Sequence, residues 1–115
     1  MHHTCGGVRP LIPDLIDAGL DVLQSLQPRA AGMDLGGLKR DFGRDLSFHG
    51  SIDIQHVLPH GMPAEVRAHA REQLEAGMPG GGFVVGTAHD LLPDVPVANA
   101  VALFEAYRDY GAYLA

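Results

Sequence analysis

Short apolar runs alternate along this chain with longer stretches of helical period, and that rhythm limits the folds open to it. Residues 21–26, 46–49 and 83–86 are compact runs bounded by glycine, proline or polar turns, which is the length and punctuation of β-strands. Helical patterns surround them. Residues 9–18 carry Leu11, Ile12, Leu15 and Ile16 on one face and stop at Gly19, which can take the left-handed C-terminal conformation. Asp34 stands as an N-cap before Leu35, Leu38 and Phe42, at i, i+3 and i+7. Residues 63–76 open on Pro63, suited to a first helical turn, and set Val66, Ala70 and Leu74 four apart. Pro93 and Pro96 bracket a loop before a last helix bearing Val101, Phe104 and Tyr107. His3-Thr4 reads as the stump of a further strand. Strands alternating with helices pair in parallel through helical crossovers, so the expectation is an α/β fold of four strands and four helices.

Composition removes several alternatives. The 15 glycines and 8 prolines follow no period, which excludes collagen-like and repeat architectures. The formal charge is −6, and only Lys39-Arg40 are adjacent cations. No basic face is available for a phosphate backbone, so nucleic acid is not an expected partner. Apolar runs fall far short of the roughly 20 residues of a membrane helix, so no membrane association is expected. The single cysteine, Cys5, excludes an internal disulfide and fits a reducing compartment. Residues 1–5 lack the charged and apolar regions of a secretory signal. A cytoplasmic, acidic protein is the expectation.

Parallel crossovers place all strand C-termini at one end of the sheet, where α/β proteins build their sites. Gathered there are His3 and Cys5, Gln24 and Gln27, His49, Ser51 and Asp53, then Thr87, His89 and Asp90. Three of the seven histidines and the only cysteine thus converge on one rim. His3 and Cys5, at i and i+2 on a strand end, point to one side, so imidazole and thiolate can share an ion. The plainer alternative is a buried cysteine beside an incidental histidine. His56, His60 and His69 read as surface or loop residues. The charges from Arg67 to Glu75 read as a solvated helix face, and Tyr107, Tyr110 and Tyr113 as packing for the last helix.

Three segments carry a resemblance. His3-Thr4-Cys5-Gly6, Phe48-His49-Gly50-Ser51-Ile52-Asp53 and His89-Asp90-Leu91-Leu92-Pro93-Asp94-Val95-Pro96 resemble the uroporphyrinogen decarboxylase family, which also contains cobalamin-dependent methyltransferases. The resemblance implies that residues 1–115 form a partial domain, the C-terminal half of a (β/α)8 TIM barrel with about four βα units. The family's amino-terminal half, with the Arg-rich motif and the Asp of true decarboxylases, has no counterpart here. In the decarboxylase branch a Gly-Asn-x-Asp-Pro turn follows the penultimate strand. Here Gly50-Ser51-Ile52-Asp53-Ile54 keeps the Asp and lacks the Asn and Pro. A histidine at the position of His89 lies in the porphyrinogen pocket of that branch. Similar methyltransferases bind zinc through a His-x-Cys pair and a later cysteine. His3 and Cys5 match the pair, and His89 stands at the later position.

The implied zinc ligands are therefore His3, Cys5 and His89, and the implied substrate-binding residues are His49, Asp53 and His89. The implied reaction passes a methyl group from a methylcorrinoid, carried on a partner protein, to a thiol. Alternatives are decarboxylation of uroporphyrinogen acetate side chains, a non-catalytic half-barrel subunit, and a truncated reading frame; activity of this chain alone is left open. Half a barrel cannot close on itself. The barrel-facing apolar residues, among Val22, Leu46, Phe48 and Val84, would lack an opposing layer. His3 and His89 would lie three strand spacings apart, about 14 Å in a flat sheet. The expected partners are a missing amino-terminal half-barrel or a second copy of the chain.

Overall fold

Four parallel strands lie side by side in chain order in the computed structural model, which describes residues 1–113. They are β1 (His2–His3), β2 (Val22–Leu26), β3 (Ser47–Ile52) and β4 (Phe83–Thr87). The helices are α1 (Ile12–Asp17), α2 (Leu35–Phe42), α3 (Val57–His60), α4 (Pro63–Gly77) and α5 (Val97–Tyr110). Strands in chain order, all parallel, are how βα units add around a barrel, whereas a doubly wound sheet reverses its order.

The helices cover one face of the sheet. Leu23, Leu26, Leu46 and Phe48 are buried with Ile12 of α1 and with Leu35 and Leu38 of α2. Ile52 is buried with Leu58, Val66, Ala70, Ala102, Leu103 and Ala106 from α3, α4 and α5. Leu46 and Phe48 thus point at the helices and not, as expected, into the barrel. The physical reason is strand alternation: with Phe48 outward, His49 must face inward. Register then aligns His3 with Gln24, Gln24 with His49, and His49 with Val84 in one inward row. Val84 is 55% exposed there, as the barrel-facing expectation requires.

Local chemistry explains the other departures. Residues 9–18 split into a 3-10 turn at Arg9–Leu11 and the short helix α1, because Pro10 and Pro13 remove backbone donors in successive turns. β3 does not stop at Gly50 but runs on to Ile52. Gly50 has φ of 135°, and a Cβ there would lie 3.0 Å from the Leu26 nitrogen, so glycine permits the close approach of β2 and β3. Helix α3, absent from the sequence reading, is pinned by Asn99, whose Nδ2 donates to the Leu58 and Gly61 carbonyls at 2.8 Å each. The Asp34 cap forms as expected, accepting the Gly37 N–H at 2.8 Å.

α4 and α5 pack along their length. Arg67 bonds Asp109 at 2.8 Å, and the Arg67 and Arg71 guanidinium groups lie 5.6 and 5.2 Å from the Tyr110 ring centre. Tyr107 packs against the same core, and burial pushes its phenol up to about 12. Tyr113 is exposed.

Candidate functional site

The loops after β1 and β4 fold toward each other across the inner face. The His3 and His89 rings meet edge to face, with centroids 5.8 Å apart at 78°. His3 on the first strand and His89 in the loop after the last thus meet across the inner face, although their strands would lie about 14 Å apart in a flat sheet. They line a cleft of about 460 Å³ with Gln24, His49, Gly86, Thr87, Ala88 and Asp90. Gly86 makes room for His49: a Cβ at Gly86 would sit 3.2 Å from the His49 Nε2.

Hydrogen bonds give the two facing histidines opposite roles. The His3 Nδ1 lies 3.2 Å from Gln24 Oε1, and a carbonyl oxygen only accepts, so Nδ1 donates. The His3 Nε2 lone pair is then left toward Cys5 Sγ, 3.7 Å away. Two corners of a tetrahedral zinc site, one nitrogen and one sulfur, are separated by about 3.6 Å given ordinary bond lengths. His3 and Cys5 thus have the spacing of two ligands. Among the described residues no group of three such side chains is placed to hold an ion. His89 is arranged differently. Its Nδ1 accepts the Asp90 N–H at 2.8 Å, so the neutral ring carries its proton on Nε2. His89 in this arrangement offers an N–H donor, which suits an anionic group. Ligating an ion through Nε2 requires the other tautomer and release of the Asp90 N–H.

Asp53 does not join this cleft. It is 3% exposed, and its Oδ1 accepts the Gln55 N–H at 2.8 Å and the His56 N–H at 3.3 Å. The carboxylate therefore shapes the turn into α3. It borders a separate hollow with Arg29 and His69, between α2 and α4. The Asp53 N–H donates to His69 Nε2 at 3.0 Å, so His69 is a half-buried packing residue and not the surface histidine expected. Burial lowers its pKa, and the nearby Asp53 charge opposes this only in part. His56 caps the start of α3 and His60 is its last residue, and neither lines the cleft.

Two site residues escaped the sequence reading. Gly86 carries no local signal beyond being a glycine in a strand. Ser25 does carry one: Leu23 and Leu26, both buried outward, are three apart where a regular strand would space them two or four. That spacing marks a bulge, and the register of β2 against β3 shifts between Gln24 and Leu26. Ser25 has φ of 72°. Its hydroxyl donates to the Ala88 carbonyl and lies 3.4 Å from Cys5 Sγ.

Parallel βα units in chain order, with a histidine-lined cleft at the carboxyl ends of their strands, define part of a (β/α)8-barrel protein. The sequence model for uroporphyrinogen decarboxylase (URO-D) matches residues 1–110, and the chain belongs to that family. It is 26% identical over 107 residues to a methylated-thiol–coenzyme M methyltransferase of Methanosarcina mazei, a match covering 93% of this chain and 27% of that protein. It is 30% identical over 79 residues to a uroporphyrinogen decarboxylase of Ectopseudomonas mendocina, covering 69% of this chain and 22% of the relative. The chain thus spans about a quarter of the length of these relatives. No solved structure matches it significantly.

Proposed function

We propose that this chain forms the thiol-handling rim of a zinc-dependent methyltransferase barrel. The observation that carries this reading is the His3 Nε2 to Cys5 Sγ separation of 3.7 Å, with the His3 ring oriented from behind by Gln24. Metal-binding histidines are held in the same way, by an acceptor on the remote ring nitrogen. The similarity to the M. mazei methylated-thiol–coenzyme M methyltransferase supports it. Zinc held by His3 and Cys5 would keep a substrate thiol deprotonated at neutral pH. The chain's own groups do the rest. The His89 Nε2–H binds the anionic end of the acceptor, and His49 lines the floor that Gly86 leaves open for it. The methyl donor, a methylcorrinoid on a partner protein, approaches the uncovered inner face. A separate amino-terminal half-barrel or a second copy of the chain completes the wall, in the cytoplasm.

Zinc content tests the reading. Purified protein should retain zinc after dialysis, and Cys5→Ser should lose most of it. His89→Cys should retain the metal, because it supplies a thiolate where similar methyltransferases have one. Equal zinc in wild type and Cys5→Ser counts decisively against the assignment.

The His89 donor favours a second reading, decarboxylation of uroporphyrinogen, in which that N–H holds a carboxylate of the tetrapyrrole and no metal is needed. Complementation of a strain blocked at that step, lost on His89→Ala and unaffected by Cys5→Ser, would select it. Failure of both assays points to a non-catalytic subunit. Among the described residues no helix is long and apolar enough to cross a membrane.

A further inference from the structure

We infer that Ser25 is a positioning residue, which holds Cys5 beside His3 and ties the His89 loop over the same cleft. The metal part of this inference rests on the zinc reading above. Cys5 and His89 belong to loops at opposite edges of the sheet, and ladder hydrogen bonds join only neighbouring strands. Ser25 bridges the gap. From β2 its hydroxyl reaches past β3 to the Ala88 carbonyl, in the peptide that precedes His89. The Ala88 N–H is bound in turn by the Ile52 carbonyl at 2.9 Å. Ala88, the residue before His89, is therefore held through both of its backbone polar groups.

The proton count sets the rest. A serine hydroxyl has one proton, and the Ala88 carbonyl can only accept it. Toward Cys5 Sγ, 3.4 Å away, Ser25 therefore offers lone pairs, so the single thiol proton has two competing acceptors, Ser25 Oγ and the His3 Nε2 at 3.7 Å, and serves one at a time. The backbone makes this geometry possible. In a regular strand Ser25 would point outward, opposite to Gln24. The bulge and the left-handed φ of 72° turn it inward, and it is 2% exposed there. Non-glycine residues rarely adopt that conformation, and a serine with no inward task would gain nothing by keeping it.

Ser25→Gly separates position from fold, because glycine takes the left-handed conformation freely while losing the hydroxyl. Ser25→Ala is the second variant, should glycine loosen β2. Two readouts apply to the full chain. The first is the rate at which iodoacetamide alkylates Cys5 at one fixed pH without metal. Ser25→Gly should raise it severalfold, since the thiol loses its anchor. The second is titration with cobalt(II) alone, read by thiolate-to-cobalt absorption. Affinity should fall about tenfold, the usual loss when a group supporting a ligand is removed. An unchanged alkylation rate in both variants overturns the inference, even if the melting temperature drops, because Ser25 would then serve the fold only. If wild type shows no Cys5-dependent cobalt absorption, the zinc reading fails instead, and alkylation still decides the role of Ser25.

Discussion

Asn99 is buried at 2% exposure and spends both amide protons on carbonyls of the α3 segment, at Leu58 and Gly61. It follows the His89–Pro96 segment that carries the family resemblance, yet it is not among the residues that line the cleft. Its position is explained by satisfaction of backbone acceptors that a four-residue helix cannot satisfy itself. Asn99→Ala should cost about 2–4 kcal/mol, since two buried carbonyls lose their donors. Urea unfolding measures this, and a change below about 0.5 kcal/mol would mean that water replaces the amide. Cys5 and His89 are the opposite case: both are exposed, so Cys5→Ser should lower zinc content and His89→Cys should leave it, each with little change in unfolding midpoint.

The β3–α4 contact is an element held by two polar pairs within an apolar interface. Ser51 Oγ donates to Gln73 Oε1 at 2.7 Å, and the Asp53 N–H donates to His69 Nε2 at 3.0 Å. The His69 nitrogen can accept only while neutral, and burial holds its pKa below the usual value near 6.5. The unfolded chain protonates this ring more readily than the folded chain does. Stability from this group is therefore complete above about pH 7 and declines as pH falls below about 6.5, because the unfolded state then binds more protons. The decline levels off only below the folded value. His69→Gln keeps an acceptor for the Asp53 N–H and cannot titrate. The melting temperature of wild type should fall more steeply than that of His69→Gln between about pH 7 and 5. Parallel slopes for the two proteins would rule out His69 as the source.

At the scale of the whole molecule the extents are 42 × 35 × 19 Å, the thin dimension being one sheet and one helical layer. Parallel sheets are ordinarily covered on both faces. Here the inward row holds an exposed Val84, and the last helix carries exposed Val97, Val101 and Phe104 at i, i+4 and i+7. His3 already meets His89 within this one sheet and its loops, so closure of the barrel is not required to build the cleft. Closure is required to cover these apolar groups. The isolated chain should therefore self-associate, or bind a separately expressed amino-terminal half, in sedimentation equilibrium. A monodisperse monomer that melts cooperatively and retains zinc would refute this.

Periodicity is local, and it was enough to place four parallel strands, the Asp34 cap and the Pro63 helix start, though not the end of β3 or the short helix α3. Handedness of the crossovers then brings His3, Cys5, His49 and His89 to one end of the sheet with no knowledge of contacts. Facing direction was less legible. Leu46 and Phe48 turn to the helices, and Ser25 turns inward, because alternation is counted from a register that neighbouring strands set together. The bulge at Ser25 exists only against β3. The Asp53 carboxylate was assigned to the cleft from its place after β3, but the turn into α3 claims it for backbone N–H groups. The two histidine tautomers depend on partners that no spacing rule supplies, Gln24 for His3 and the Asp90 peptide for His89. Residue types and their order determined which groups could do chemistry at this rim. Only the tertiary structure decided which of them offers a lone pair and which a proton, because a hydrogen-bond role belongs to a pair of groups and not to a residue.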